Sequence, residues 1–188
     1  MADAARTIDG VQMPPAGTYT LEAGHTVLGF SCKHMITRVR GRFTEFSGSI
    51  VVGEGLDDSS VEITIEAASI LTHLAPRDHH LRSSDFLMVE EFPQMTFRST
   101  GVRPTGGTSF DLDGDLTMRG VTNPVTLSCE YEGAGPDTEG VMIFAATGKT
   151  RIEREDWDMT WNQLVETGGL FVGKTVDIEF ELVAQKTG

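Results

Sequence analysis

The sequence predicts an all-β domain of about eight strands. Three observations support it: a two-residue hydrophobic period that recurs along the chain, turn-rich pieces between the periodic runs, and runs as long as nine residues. The clearest run is Phe110-Asp111-Leu112-Asp113-Gly114-Asp115-Leu116-Thr117-Met118, whose even positions are apolar or glycine and whose odd positions are acidic or hydroxylated. Successive side chains of an extended strand point to opposite faces, so this segment has one apolar face and one acidic face. A helix would scatter the same residues and bury aspartates.

Taken in order, residues 1–16 read as a flexible N-terminal arm that ends at Pro14-Pro15, and residues 17–188 as one domain. Leu28, Phe30 and Cys32 begin the alternation, with Ser31 and Lys33 outward. The stretches 38–52 and 141–152 read as extended without a clear face. Val61, Ile63, Ile65 and Ala67 alternate with Glu62, Thr64 and Glu66. Between Ser69 and Pro93 the period is lost. Pro76 suits the first position of a short helix, continued by residues 77–82 and buried on one side through Leu74, Leu81 and Phe86. Strand character returns with Met95, Phe97 and Ser99. It continues through Phe110–Met118, through Val125, Leu127, Cys129 and Tyr131, and through Val176, Ile178, Phe180 and Leu182. Residues 153–169 form a second irregular insertion that carries Trp157 and Trp161, placed to cap one end of the domain. Gly53-Glu54-Gly55, residues 104–107 and residues 133–136 supply turns.

Composition bounds the function. The chain has 188 residues, 39% hydrophobic and 23% charged, and a net charge of −13. No run approaches a membrane-spanning helix. The first fifteen residues lack the apolar core of a signal peptide, so a cytoplasmic location is expected. The acidic balance argues against nucleic acid, or an anionic membrane, as a general partner. Cys32 and Cys129 fall on inward faces of different strands and read as buried thiols in a reducing compartment.

Alternation alone fits a two-sheet sandwich or a barrel. Strands of nine or more residues span roughly 30 Å, which favours an up-and-down barrel. Small inward residues (Ala67, Ser99, Gly114, Cys129) would leave room inside it.

Seven ordered motifs add to this reading. They are residues 24–30 (Gly-His-Thr-Val-Leu-Gly-Phe) with 33–35 (Lys-His-Met), 39–43 (Val-Arg-Gly-Arg-Phe), 68–72 (Ala-Ser-Ile-Leu-Thr), 77–86 (Arg-Asp-His-His-Leu-Arg-Ser-Ser-Asp-Phe), 92–97 (Phe-Pro-Gln-Met-Thr-Phe) and 114–122 (Gly-Asp-Leu-Thr-Met-Arg-Gly-Val-Thr). Together, over residues 18–184, they resemble the YceI-like family of polyisoprenoid-binding proteins. The resemblance implies an extended, eight-stranded antiparallel lipocalin-like barrel with a short helix between central strands. It also implies a lumen that holds an isoprenoid lipid, and a homodimer. Three positions depart from the family pattern: Glu22 where Asp is usual, Thr26 where Ser is usual, and Trp157-Asp158-Met159 where the middle residue is often glycine.

The expected ligand-binding lumen is Leu28, Phe30, Ile63, Ile65, Phe97, Phe110, Leu112, Leu116, Val125, Leu127, Ile178 and Phe180. Such walls need no polar recognition, because burial contributes about 0.8 kcal/mol per CH₂. His25, His34, Arg77, Asp78 and His79 are the head-group candidates, with Arg77 offering a bidentate fork to phosphate or a quinone oxygen. Each also reads as structural: Arg77 and Asp78 as an ion pair that holds the helix, His25 and His34 as satisfied histidines. The expected ligand is a polyprenyl chain, an isoprenoid quinone or a polyprenyl phosphate, with no covalent cofactor.

The alternative is a metal-binding or protein-interaction barrel without lipid. The adjacent His79 and His80 would diverge on a helix, and no His-x-x-x-His or cysteine-rich spacing supports zinc. Catalytic residues are not expected. Ser83 and Ser84 lack a nucleophile-elbow context, and Asp111, Asp113 and Asp115 form a solvated stripe.

Overall fold

Kinks in three long strands organise the architecture. The computed structural model describes residues 6–8, 11–166 and 168–187. After a short ladder of β1 (Arg6–Ile8) and β2 (Val11–Met13), the first long strand is broken into β3 (Gly17–Leu21) and β4 (Val27–His34). The second is broken into β5 (Thr37–Phe43) and β6 (Phe46–Val52). The third comprises β7 (Ser60–Glu66), a 3₁₀ turn (Ala67–Ser69) and β8 (Ile70–Leu71). Helix α1 (Ala75–Arg82) precedes five further strands: β9 (Gln94–Gly106), β10 (Ser109–Met118), β11 (Val121–Pro136), β12 (Met142–Glu153) and β13 (Val172–Lys186).

Every pairing is antiparallel, and the sheet closes on itself. β13 pairs with β12 along one edge, from Ile143↔Gln185 to Glu153↔Thr175. Along its other edge it pairs with β4 and then β3. The first and last long strands therefore seal an eight-stranded, up-and-down lipocalin-like barrel, which leaves no long free edge.

Side chains bridge the kinks. At the break between β3 and β4 the Thr26 hydroxyl donates to the Val183 carbonyl at 3.2 Å and accepts from the Val183 N–H at 3.1 Å. It thereby shares the Val183 carbonyl with the Glu22 N–H and supplies the Val183 N–H with an acceptor across the break. At the break between β5 and β6, Ser69 Oγ accepts from Thr44 N–H and Glu45 N–H and donates to the Glu66 carbonyl.

The alternation read from Phe110–Met118 is realised in β10: Leu112, Gly114, Leu116 and Met118 are buried, and Asp115 is exposed. On the outer face Asp113 receives a fork from Arg103 (2.6 and 3.0 Å) and a hydrogen bond from Thr126. The short helix is present, and Pro76 occupies its second position, one residue later than expected. Leu74 does not bury that helix; it is half exposed, and Phe86 and Leu81 take that role.

The described part of the N-terminal arm is docked. Arg6 pairs with Met13 across the β1–β2 ladder, and Met13, Pro14 and Pro15 are buried. The Tyr19 hydroxyl, fully buried, donates to the Pro15 carbonyl at 2.8 Å. Residues 1–5 and 9–10 of the arm lie outside the described residues.

Candidate ligand-binding cavity

The barrel interior is not filled. An apolar cavity of about 300 Å³ runs between two core clusters, one at the α1 end and one at the β1–β2 end. All twelve residues of the expected lumen line it. Many of these inward side chains, including Ile63, Ile65, Phe110, Val125, Ile178 and Phe180, are only half buried. Protein interiors are close-packed, with few voids larger than a water molecule. At about 24 cal/mol per Å³, an empty space of this size would cost about 7 kcal/mol, comparable to the whole stability of a domain. Cys32 and Cys129, both free, also contribute to the wall. Burial pushes both thiols up, that of Cys129 to about 12, so neither is a reactive thiolate.

Glycine–aromatic pairs shape the wall. Phe30 sits opposite Gly41, and Phe180 opposite Gly148. A Cβ on either glycine would lie within 2.4 Å of the facing ring. The missing side chain is what lets each ring lie flat across its neighbouring strand.

At the α1 end, the 3₁₀ turn Arg154–Trp157 plugs the barrel. Trp157 is 2% exposed, and its Nε1 donates to the Leu116 carbonyl at 3.0 Å. Arg154, equally buried, lines the cavity and donates to the carbonyls of Gly173, Met159 and Val172. Desolvation lowers its pKa, and its guanidinium faces the Phe86 ring at 5.9 Å. Above it lies a ring cluster: His80, Phe86, Trp161, Phe171 and His34 contact one another edge-on or tilted, at centroid distances of 4.5–6.4 Å. Trp161 thus belongs to an end cap, while Trp157 belongs to the core.

At the β1–β2 end, Tyr131 is buried against Phe144, Ala146 and Leu182. Among the described residues its hydroxyl has no hydrogen-bond partner, and burial raises its pKa.

None of the five head-group candidates lines the cavity. His25 is 76% exposed and pairs with Glu22 on the outside of the kink. His34 lies in the ring cap. His79 is exposed. Arg77 and Asp78 do not face each other as an ion pair; both engage Thr72. Arg77 donates to the Thr72 hydroxyl and carbonyl, and the buried Asp78 carboxylate accepts from the Thr72 N–H and hydroxyl. This pair fastens α1 to β8. A buried charged residue that does line the cavity, Arg154, escaped the sequence reading because it falls where the two-residue period stops. Among the described residues, no three His, Cys, Asp or Glu side chains converge as a metal site.

A closed antiparallel barrel around an apolar cavity, capped at one end by a helix and a ring cluster, is the architecture of small barrels that hold one ligand. The chain belongs to the YceI-like family: the family profile for the YceI-like domain matches residues 19–184. The UPF0312 protein VPA0850 of Vibrio parahaemolyticus is 35% identical over 148 residues, covering 77% of this chain and 78% of the relative. The UPF0312 protein SA2479 of Staphylococcus aureus is 34% identical over 171 residues, covering 89% and 95%. Among solved structures, BcnA of Burkholderia cenocepacia superposes with a TM-score of 0.76 at 22% identity, covering 87% of this chain and 98% of that one. A polyisoprenoid binding domain from Saccharophagus degradans, implicated in plant cell wall breakdown, superposes with a TM-score of 0.66 at 15% identity, covering 90% and 98%.

Proposed function

We propose that this protein binds an isoprenoid lipid in the barrel lumen and carries or sequesters it, acting as a binding protein and not as a catalyst. The observation that carries this reading is the set of inward apolar side chains left half buried around a cavity that close packing would not tolerate. A flexible, branched hydrocarbon chain is the occupant such a wall favours, since about ten buried carbons supply on the order of 8 kcal/mol gross without any polar contact. The likeness to a barrel described as polyisoprenoid-binding supports the same choice. An isoprenoid quinone, a polyprenyl chain or a polyprenyl phosphate fits the class. Two free cysteines suit a reducing, cytoplasmic setting. The homodimer implied by the family is checked by sedimentation velocity.

Titrating delipidated protein with isoprenoid quinones of increasing tail length tests the reading. Affinity that rises with tail length and then levels off supports it. Saturation at a hundred times Kd raises stability by about 2.7 kcal/mol. A thermal midpoint that no isoprenoid moves refutes it.

A further inference from the structure

The α1 end of the barrel is fringed by exposed apolar side chains. Ile36, in the β4–β5 turn, is 95% exposed, and Leu164 is 84% exposed. Met35 and Leu170 are exposed as well. Leu164 and Leu170 pair across a small hairpin whose two arms are residues 163–166 and 168–171, and Phe171 N–H donates to the Gln163 carbonyl. The β4–β5 turn lies beside the base of this hairpin. Met35 N–H donates to the Phe171 carbonyl at 2.8 Å, and the His34 ring packs against the Phe171 ring. Beneath them Val172, Met159, Arg154 and Phe86 line the end of the cavity.

The β4–β5 hairpin also reverses the sign of the chain. Residues 23–44 contain Lys33, Arg38, Arg40 and Arg42 but neither Asp nor Glu, in a protein of net charge −13. Lys33 stands opposite Arg38 in the ladder, directly behind the apolar tip. Lys33, Arg40 and Arg42 are exposed and, among the described residues, have no ion pair; Arg38 pairs with Asp177. Acidic groups stand at this end as well: Glu166 on the second hairpin, Asp85 paired with His80 in the ring cap, and Glu155 (paired with Lys174), Asp156 and Asp158 at the Arg154–Trp157 turn.

Aliphatic side chains at two projecting turns, backed by a row of cations, match the interfacial zone of a bilayer with anionic head groups. Four side chains are far fewer than the roughly 20–30 residues a side that a stable protein partner covers. We propose that this end docks the barrel on an anionic lipid surface. Ile36 and Leu164 enter the head-group layer and the basic hairpin lies against lipid phosphates, which brings the ring-capped end of the lumen to the membrane for lipid exchange. The exchange role rests on the lumen being a lipid site; the docking surface does not.

Flotation with vesicles of phosphatidylcholine alone, and of phosphatidylcholine mixed with phosphatidylglycerol, tests the proposal. Wild-type protein is expected to float with the mixed vesicles, less with the neutral ones, and less again at high salt. The double variant Ile36→Asp, Leu164→Asp is expected to lose about tenfold in partition with an unchanged thermal midpoint, because both side chains already face water. Wild-type protein that stays unbound to both vesicles, or a variant that floats equally well, overturns the docking. Equal binding to both vesicles overturns the role of the basic hairpin. Lipid uptake from detergent, measured in parallel, separates the two readings: uptake without flotation refutes docking alone, and flotation without uptake refutes the lumen reading alone.

Discussion

Phe180 lies across the strand from Gly148, with its ring where a Cβ on that glycine would come within 2.3 Å. The pair sets the width of the cavity wall on the β12–β13 side. Gly148→Ala is therefore expected to push the ring into the lumen, at a cost of about 1–2 kcal/mol. Ligand uptake should fall by more than that stability change explains. A thermal midpoint together with an uptake titration checks this, and unchanged uptake would place the ring outside the ligand space.

The two faces of β10 should respond oppositely. Leu116→Asp or Phe110→Asp introduces an unpaired carboxylate into an apolar cavity, at a cost of about 3 kcal/mol or more, and should abolish uptake or unfold the barrel. Asp113→Asn changes only the outer surface and should spare uptake. Equal damage from all three substitutions would refute the face assignment.

Asp113 also gives a pH signature. Hydrogen bonds from Arg103 and Thr126 hold its pKa at about 2, below the ordinary 3.8. A depressed folded-state pKa contributes stability that is complete above the ordinary value and is lost as pH falls through the folded one. Stability should thus decline between about pH 4 and pH 2, and Asp113→Asn should flatten part of that decline in acid-unfolding curves.

Asp158 adopts left-handed backbone, with φ of 58° and ψ of 18°, at the end of the Arg154–Trp157 turn. Left-handed backbone suits glycine best, and this chain adopts it at an aspartate. Asp158→Gly should stabilise the protein by about 0.5–1 kcal/mol, read as a midpoint about 1–4 °C higher.

Tyr131 should behave unusually for a buried aromatic residue. Its hydroxyl has no partner among the described residues, so Tyr131→Phe removes a desolvated polar atom while keeping the ring. The empty barrel should gain about 1 kcal/mol in a denaturant titration, where loss of a satisfied hydroxyl would give the opposite sign.

The lumen was legible in the sequence because a strand has a strict period of two. Once Leu112 and Leu116 are inward, the pattern fixes their neighbours, and the same logic placed Ile63, Phe97, Leu127 and Ile178. The kinks were not legible. Thr26 and Ser69 act by capturing backbone groups of distant residues, Val183 and Glu45, and no local pattern encodes that. The structural partners of the polar candidates were not legible for a related reason. Arg77 and Asp78 stand in a distinctive motif, yet their chemistry is directed at Thr72 and holds a helix in place. Arg154 reaches the cavity only through the turn that ends β12, where periodicity carries no information.

Native mass spectrometry of the protein purified from its own source, followed by extraction and identification of whatever it holds, tests the central claim most directly. The account predicts a population carrying a single lipid of isoprenoid type that delipidation removes and an isoprenoid quinone restores. Protein that emerges empty every time and accepts no isoprenoid would contradict it.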